Sequence, residues 1–197
     1  MGQRESRETL HGKHSRFQEV MASVFGHSLA AIALGKSFTK EIRNPKFWIL
    51  GIICSIAPDA DVLGFKLGIP YDSFWGHRGF THSFFFAILF GVAITFLFYK
   101  TKRPILSLYF ALCTASHSLL DAMTTGGLGV AFFSPFENSR YFLPWRPIQV
   151  SPVGYKKFFS EWGIEVIKSE IVWIGIPFLI IVLLLSIWMK YFKNLRG

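Results

Sequence analysis

The sequence predicts an all-α, polytopic membrane protein with three to five membrane-embedded helices and a short interfacial helix. Three observations carry this. Of the 197 residues 51% are hydrophobic and only 17% are charged, against roughly 25% charged in soluble domains. The apolar residues, 22 phenylalanines among them, gather into long blocks and do not alternate at strand period. Lys and Arg, which give a net charge of +9, cluster beside those blocks. A positive-inside bias and anionic lipid account for that placement, so the expected partner is membrane lipid and not nucleic acid.

Residues 1–19 form a polar tail, too mixed in charge for a cleaved signal peptide, and 20–197 form a single helical membrane domain with its motifs at 27–145. His11 and His14 in the tail are not expected to be functional. Residues 20–34 are helical in composition but short for a span, and they carry His27. Lys36, Lys40, Arg43 and Lys46 make a basic connector. The apolar stretch 47–57 ends at Pro58-Asp59-Ala60-Asp61, where proline interrupts the hydrogen-bond ladder and puts both aspartates at a helix end. Residues 62–75 are a loop rich in glycine and aromatics.

Gly76-His77-Arg78-Gly79-Phe80-Thr81-His82-Ser83 follows, at the mouth of the apolar run 84–99, which is expected to be the first full span. Pro104 starts a helix over 105–123 that carries His117 and Asp121. Residues 124–152 are loop. Residues 155–168 show an apolar stripe opposite Lys156, Lys157, Glu161 and Glu165, the pattern of an interfacial or packed amphipathic helix. Residues 171–189, about 28 Å as a helix, are the C-terminal membrane anchor. Cys54 and Cys113 lie in apolar segments without CxxC spacing, as small buried hydrophobes.

Topology gives an independent check. Lys100, Lys102 and Arg103, and Lys190, Lys193 and Arg196, should be cytoplasmic. The spans then carry Asp59, Asp61, His77, His82, His117 and Asp121 to one extracytoplasmic face, although only Lys and Arg positions set the orientation. His27 joins them if its helix also crosses.

Polar groups of this kind at a membrane span point to function. His117 and Asp121, four apart, share one helix face. With His77, His82, Asp59 and Asp61 they offer imidazole nitrogens and carboxylate oxygens and no thiolate, a donor set that suits Zn²⁺ ahead of Mn²⁺, with one ion or two. Arg78 would clamp an anionic substrate, and Thr81, Ser83 and Ser116 would orient the ligands. Taken alone, His27 reads as a structural histidine, Asp59 and Asp61 as helix or turn caps, and Arg78 as a surface anchor.

At these residues the chain resembles a bacterial family of LexA-binding, inner-membrane-associated, metal-dependent hydrolases. The matching pieces are Pro58-Asp59-Ala60-Asp61, His77 to Ser83, Ser116-His117-Ser118-Leu119-Leu120-Asp121 with Thr124, and the stretch from Ser134 to Trp145. It departs at Ala122-Met123-Thr124-Thr125, where a leucine-rich run is expected. The resemblance implies a multi-pass protein of the bacterial inner membrane, similar to zinc-dependent phospholipases and able to bind a repressor-type protein. The expected function is hydrolysis of an ester or phosphoester, with phospholipid as the natural substrate. Its metal ligands would be His27, Asp59, His82, His117 and Asp121, supported by Asp61, Thr81, Ser83, Ser116 and Thr124. His77 and Arg78 would be catalytic. The competing functions are a metal or proton transporter and a regulatory membrane scaffold.

Overall fold

The computed structural model describes residues 23–38, 42–150 and 161–195, so the expectations for the tail and for 155–160 lie outside the described residues. Those residues form helices and two isolated β-bridges, Thr124 with Ile148 and Val130 with Tyr141.

Helix α1, Val24–Lys36, starts where the Ser23 side chain accepts from the Phe25 and Gly26 amides. Helix α2, Pro45–Ile56, is capped by Asn44, which accepts from the Phe47 amide at 2.8 Å. The α-helix ends at Ile56, two residues before Pro58, as expected, but the chain stays helical beyond it. The backbone tightens into a 3₁₀ segment, Ala57–Val62, and runs on through a short α3, Leu63–Lys66. Pro58 lies in the first turn of the tightened segment, where a missing N–H leaves little unsatisfied. The combined run Pro45–Lys66, 22 residues, is long and apolar enough to cross a membrane, and so are Arg103–Ala122 and Glu161–Trp188.

Helix α4, Phe84–Phe98, begins at Ser83, whose hydroxyl accepts from the Phe86 amide at 3.0 Å. Its 15 residues rise only about 22 Å, less than a hydrocarbon core of about 30 Å. The run expected to be the first full span is thus one of the shorter apolar helices. Helix α5 is Arg103–Ala122. At the C-terminus α6, Glu161–Glu170, continues through a π-helical turn, Ile171–Gly175, into α7, Ile176–Leu195. The amphipathic helix and the anchor, expected as separate elements, are one continuous helix. The wide turn sits just before Pro177, whose missing N–H would break an ordinary ladder there.

Helix α5 is the centre of the bundle and packs on α1, α2 and α4. Gly91 of α4 lets that contact close, since a Cβ there would lie 2.4 Å from the Ala111 nitrogen of α5. Close backbone approach of this kind is what drives helix association in lipid, where apolar burial alone gives little. The core around α5 is Ala31, Phe47, Leu50, Cys54, Ile94, Leu106, Tyr109, Phe110 and Cys113. Phe47 stacks on Tyr109 at 3.9 Å, and the Tyr109 hydroxyl donates to the Ala31 carbonyl.

The bundle has two unlike ends. At one, Lys46 Nζ donates to the Phe98 carbonyl and lies over the Tyr99 ring, Arg103 Nε donates to the Tyr99 carbonyl, and Lys36 lies over Trp48. At the other, the start of α1, the 3₁₀ segment after α2, the mouth of α4 and the end of α5 meet. The C-terminal helix joins them there, because the Glu170 carboxylate accepts from the Ser23 amide and hydroxyl, both at 2.5 Å.

Candidate metal centre

Four side chains from three elements converge at this second end. Asp59 comes from the 3₁₀ segment, His82 from the turn Phe80–His82 before α4, and His117 and Asp121 from successive turns of α5. One ligand atom from each lies within 4.8 Å of the others. Both imidazoles and Asp121 are fully buried and Asp59 is 8% exposed. The Nε2 atoms of His82 and His117 are 3.0 Å apart. Asp59 Oδ1 is 3.3 Å from His117 Nε2 and 3.7 Å from His82 Nε2, and Asp121 Oδ2 is 3.5 Å from His82 and 3.8 Å from His117.

The outer nitrogens decide what the inner ones offer. His117 Nδ1 is 2.7 Å from the Ser55 carbonyl, an acceptor only, so the proton sits on Nδ1 and Nε2 keeps its lone pair. His82 Nδ1 lies 3.1 Å from Asp61 Oδ2, and a carboxylate also only accepts. Two lone pairs therefore face each other at 3.0 Å, an arrangement that calls for a cation between them. Asp59 points the same way, since neither of its buried oxygens has a hydrogen-bond partner among the described residues. Charge agrees: the carboxylates Asp59, Asp61 and Asp121 gather here, and the Arg78 guanidinium pairs with Asp121. Four N and O donors at about 2.1 Å from a tetrahedral ion stand about 3.4 Å apart, close to the spacings here. The residues fit a divalent ion.

Burial disfavours a charged His82, but Asp61, Asp121 and Asp59 outweigh it and hold its pKa well above the ordinary 6.5.

Around the four donors, the sequence-derived roles sort differently. Asp61 is a hub: it accepts from His77 Nδ1 at 2.6 Å and from Thr81 Oγ1 at 2.7 Å, beside His82 Nδ1. His77 thus touches the cluster through Asp61, in the group Asp61, His77 and His82. The reading of Arg78 as a substrate clamp is corrected. Its guanidinium is fully buried, and donates from Nε to Asp121 Oδ2 at 3.0 Å, from Nη1 to the Gly126 carbonyl and from Nη2 to Thr124 Oγ1. Arg78 fixes Asp121. It does so from a left-handed backbone, φ 62°, a conformation that costs a non-glycine residue about 1–2 kcal/mol. Gly79 next to it is required, because a Cβ would lie 2.4 Å from the Phe74 carbonyl oxygen.

Thr124 joins the network, accepting from Arg78 and donating to the Asp121 carbonyl at 2.7 Å. Ser83 and Ser116 do not orient the ligands. Ser83 caps α4, and Ser116 donates back to the Cys113 carbonyl within its own helix. His27 is brought to the site but not into the four-donor cluster. Its ring stacks on His117 at 3.8 Å, and its Nε2 lies 3.6 Å from Asp121 Oδ1.

Arg140 has no role in the sequence reading. It donates to the carbonyls of His77, Tyr71 and Ser73 and so pins the loop that carries the motif. A lone arginine within Ser134 to Trp145 was its only signal. The Ser55 and Gly126 carbonyls leave no mark on sequence at all, being backbone groups.

A family profile described as YdjM inner membrane protein matches residues 21–194. The inner membrane protein YbcI of Escherichia coli (strain K12) is 37% identical over 160 residues, which cover 80% of this chain and 92% of YbcI. No solved structure matches the chain.

Proposed function

The chain belongs to the YdjM inner membrane protein family, and from that premise we propose that it is a membrane-bound, metal-dependent hydrolase acting on an ester or phosphoester. The observation that carries the proposal is the meeting of Asp59, His82, His117 and Asp121 donors in one buried cluster. Zinc suits this near-tetrahedral N and O set best. When bound, such an ion lowers the pKa of water and polarises a carbonyl or phosphoryl oxygen. Asp61 and the Ser55 carbonyl keep the two imidazoles in the ligating tautomer. Arg78 and Thr124 hold Asp121, and the pair Asp61 and His77 provides the path for a proton leaving the site.

Two features support a lipid substrate at the extracytoplasmic surface. Trp75, Phe133, Phe136 and Trp145, from the loops at the site end, are exposed, Phe136 to 82%, as in the aromatic belt of a membrane interface. Lys36, Lys46, Lys102 and Arg103 gather at the opposite end, the cytoplasmic one under the positive-inside rule. A transporter is disfavoured because the bundle beyond the site is closed by Phe47, Leu50, Leu106, Tyr109 and Phe110.

The test is metal analysis of the protein in mild detergent beside His82→Ala, followed by phosphate-ester and phospholipid hydrolysis with wild type and Asp121→Ala. Expected are stoichiometric zinc in wild type, loss of it in the variant, and hydrolysis that follows the metal. Wild-type protein without metal, or activity unchanged in both variants, would sink the proposal.

A further inference from the structure

We infer that Asp121 bridges two divalent cations, the second lying on its Oδ1 side and held by His27. The inference rests on the metal-centre reading above and adds a site to it. It starts from a saturation problem. Asp59, His82, His117 and Asp121 supply four donors, a full set for a tetrahedral ion, and closed four-donor sites are structural, whereas catalytic sites keep an open position. The cluster as it stands holds an ion well and leaves little room for a substrate oxygen.

His27 answers this. It is fully buried, and neither ring nitrogen has a hydrogen-bond partner among the described residues. Leaving a buried polar group unsatisfied costs about 1–3 kcal/mol, which a stacking role alone would not require, since phenylalanine stacks without that penalty. Its Nε2 is 3.6 Å from Asp121 Oδ1, while His117 Nε2 is 3.8 Å from Asp121 Oδ2. The two stacked imidazoles thus address the two oxygens of one carboxylate.

The spacings suit a pair of ions. A nitrogen and an oxygen 3.6 Å apart, each about 2.1 Å from a common ion, subtend about 120° there. The rings stack at 3.8 Å, and paired catalytic ions stand about 3.5–4 Å apart. The second ion has fewer protein donors, so the open coordination positions of the centre belong to it.

The experiment is the zinc content of full-length protein in mild detergent, loaded with Zn²⁺ and dialysed, for wild type, His27→Phe and His27→Gln. The phenylalanine keeps a ring on His117 and removes both nitrogens; the glutamine guards against a packing defect peculiar to phenylalanine. Expected are two ions per chain in wild type and one in each variant. Loading with Mn²⁺ should give a spin-coupled paramagnetic resonance spectrum in wild type and an uncoupled one in the variants. One ion in wild type, or two retained in both variants, overturns the second site and leaves the four-donor centre standing. No ion in wild type overturns the four-donor centre as well.

Discussion

The two halves of α5 are held by opposite means. Its first half, with Leu106, Tyr109, Phe110 and Cys113, packs into a dry core against α2 and α4. Its second half, with His117 and Asp121, is locked by charge: Asp121 to Arg78, His117 to the Ser55 carbonyl, and both to an unsatisfied knot of donors. Packing tolerates loss in proportion to the volume removed. A buried ionic network fails abruptly when one partner goes, because the remaining charge has no solvent to return to. The first half serves the fold, and the second gathers donors that could hold a cation.

The sharpest break in this contrast is Asp121→Ala. It strands the Arg78 guanidinium in the interior and should lower stability by about 3–5 kcal/mol and abolish metal binding, read by thermal unfolding in detergent and metal analysis. Phe47→Ala, on α2 where it stacks on Tyr109 of the other half, should lower stability by about 3 kcal/mol through the cavity it leaves with metal stoichiometry intact. Loss of metal in that variant would show that the halves are not separable.

A third outcome concerns pH. Because the folded pKa of His82 is raised above 6.5, its contribution to the metal-free protein is full below about pH 6.5 and is lost as pH rises through the folded value. Metal must displace that proton, so affinity should rise about tenfold per pH unit over the same window, checked by titration with a competing chelator. Metal-free stability falling with pH while metal affinity rises is the signature to seek. The smallest effect belongs to Ser83→Ala, expected to cost about 1 kcal/mol as a lost helix cap and to leave metal content unchanged. A loss of metal there would return Ser83 to the site.

Much of the site was legible because costly residues stand out in apolar surroundings. His82, His117 and Asp121 were visible from the spacing of α5 and the mouth of α4, and Asp59 from its place after Pro58. What misled was the assumption that an arginine in a motif faces outward. Arg78 turns inward on a left-handed backbone that its residue type does not advertise, whereas the α-helix before Pro58 stops at Ile56 as its sequence suggested. Ser83 and Ser116 looked like site residues by proximity in sequence, but local backbone groups claimed both hydroxyls.

By itself the sequence determined the helical, membrane-bound class and pointed to Asp59, His82, His117 and Asp121, since hydropathy and i, i+4 spacing are local properties of the chain. Only the tertiary structure decided which atoms face one another. It set His77 behind Asp61, joined Arg78 to Asp121, and laid His27 on His117 from a helix about ninety residues away in the chain. Those pairings depend on how closely backbones approach and on which carbonyls accept, and neither is written in the identity of any single residue.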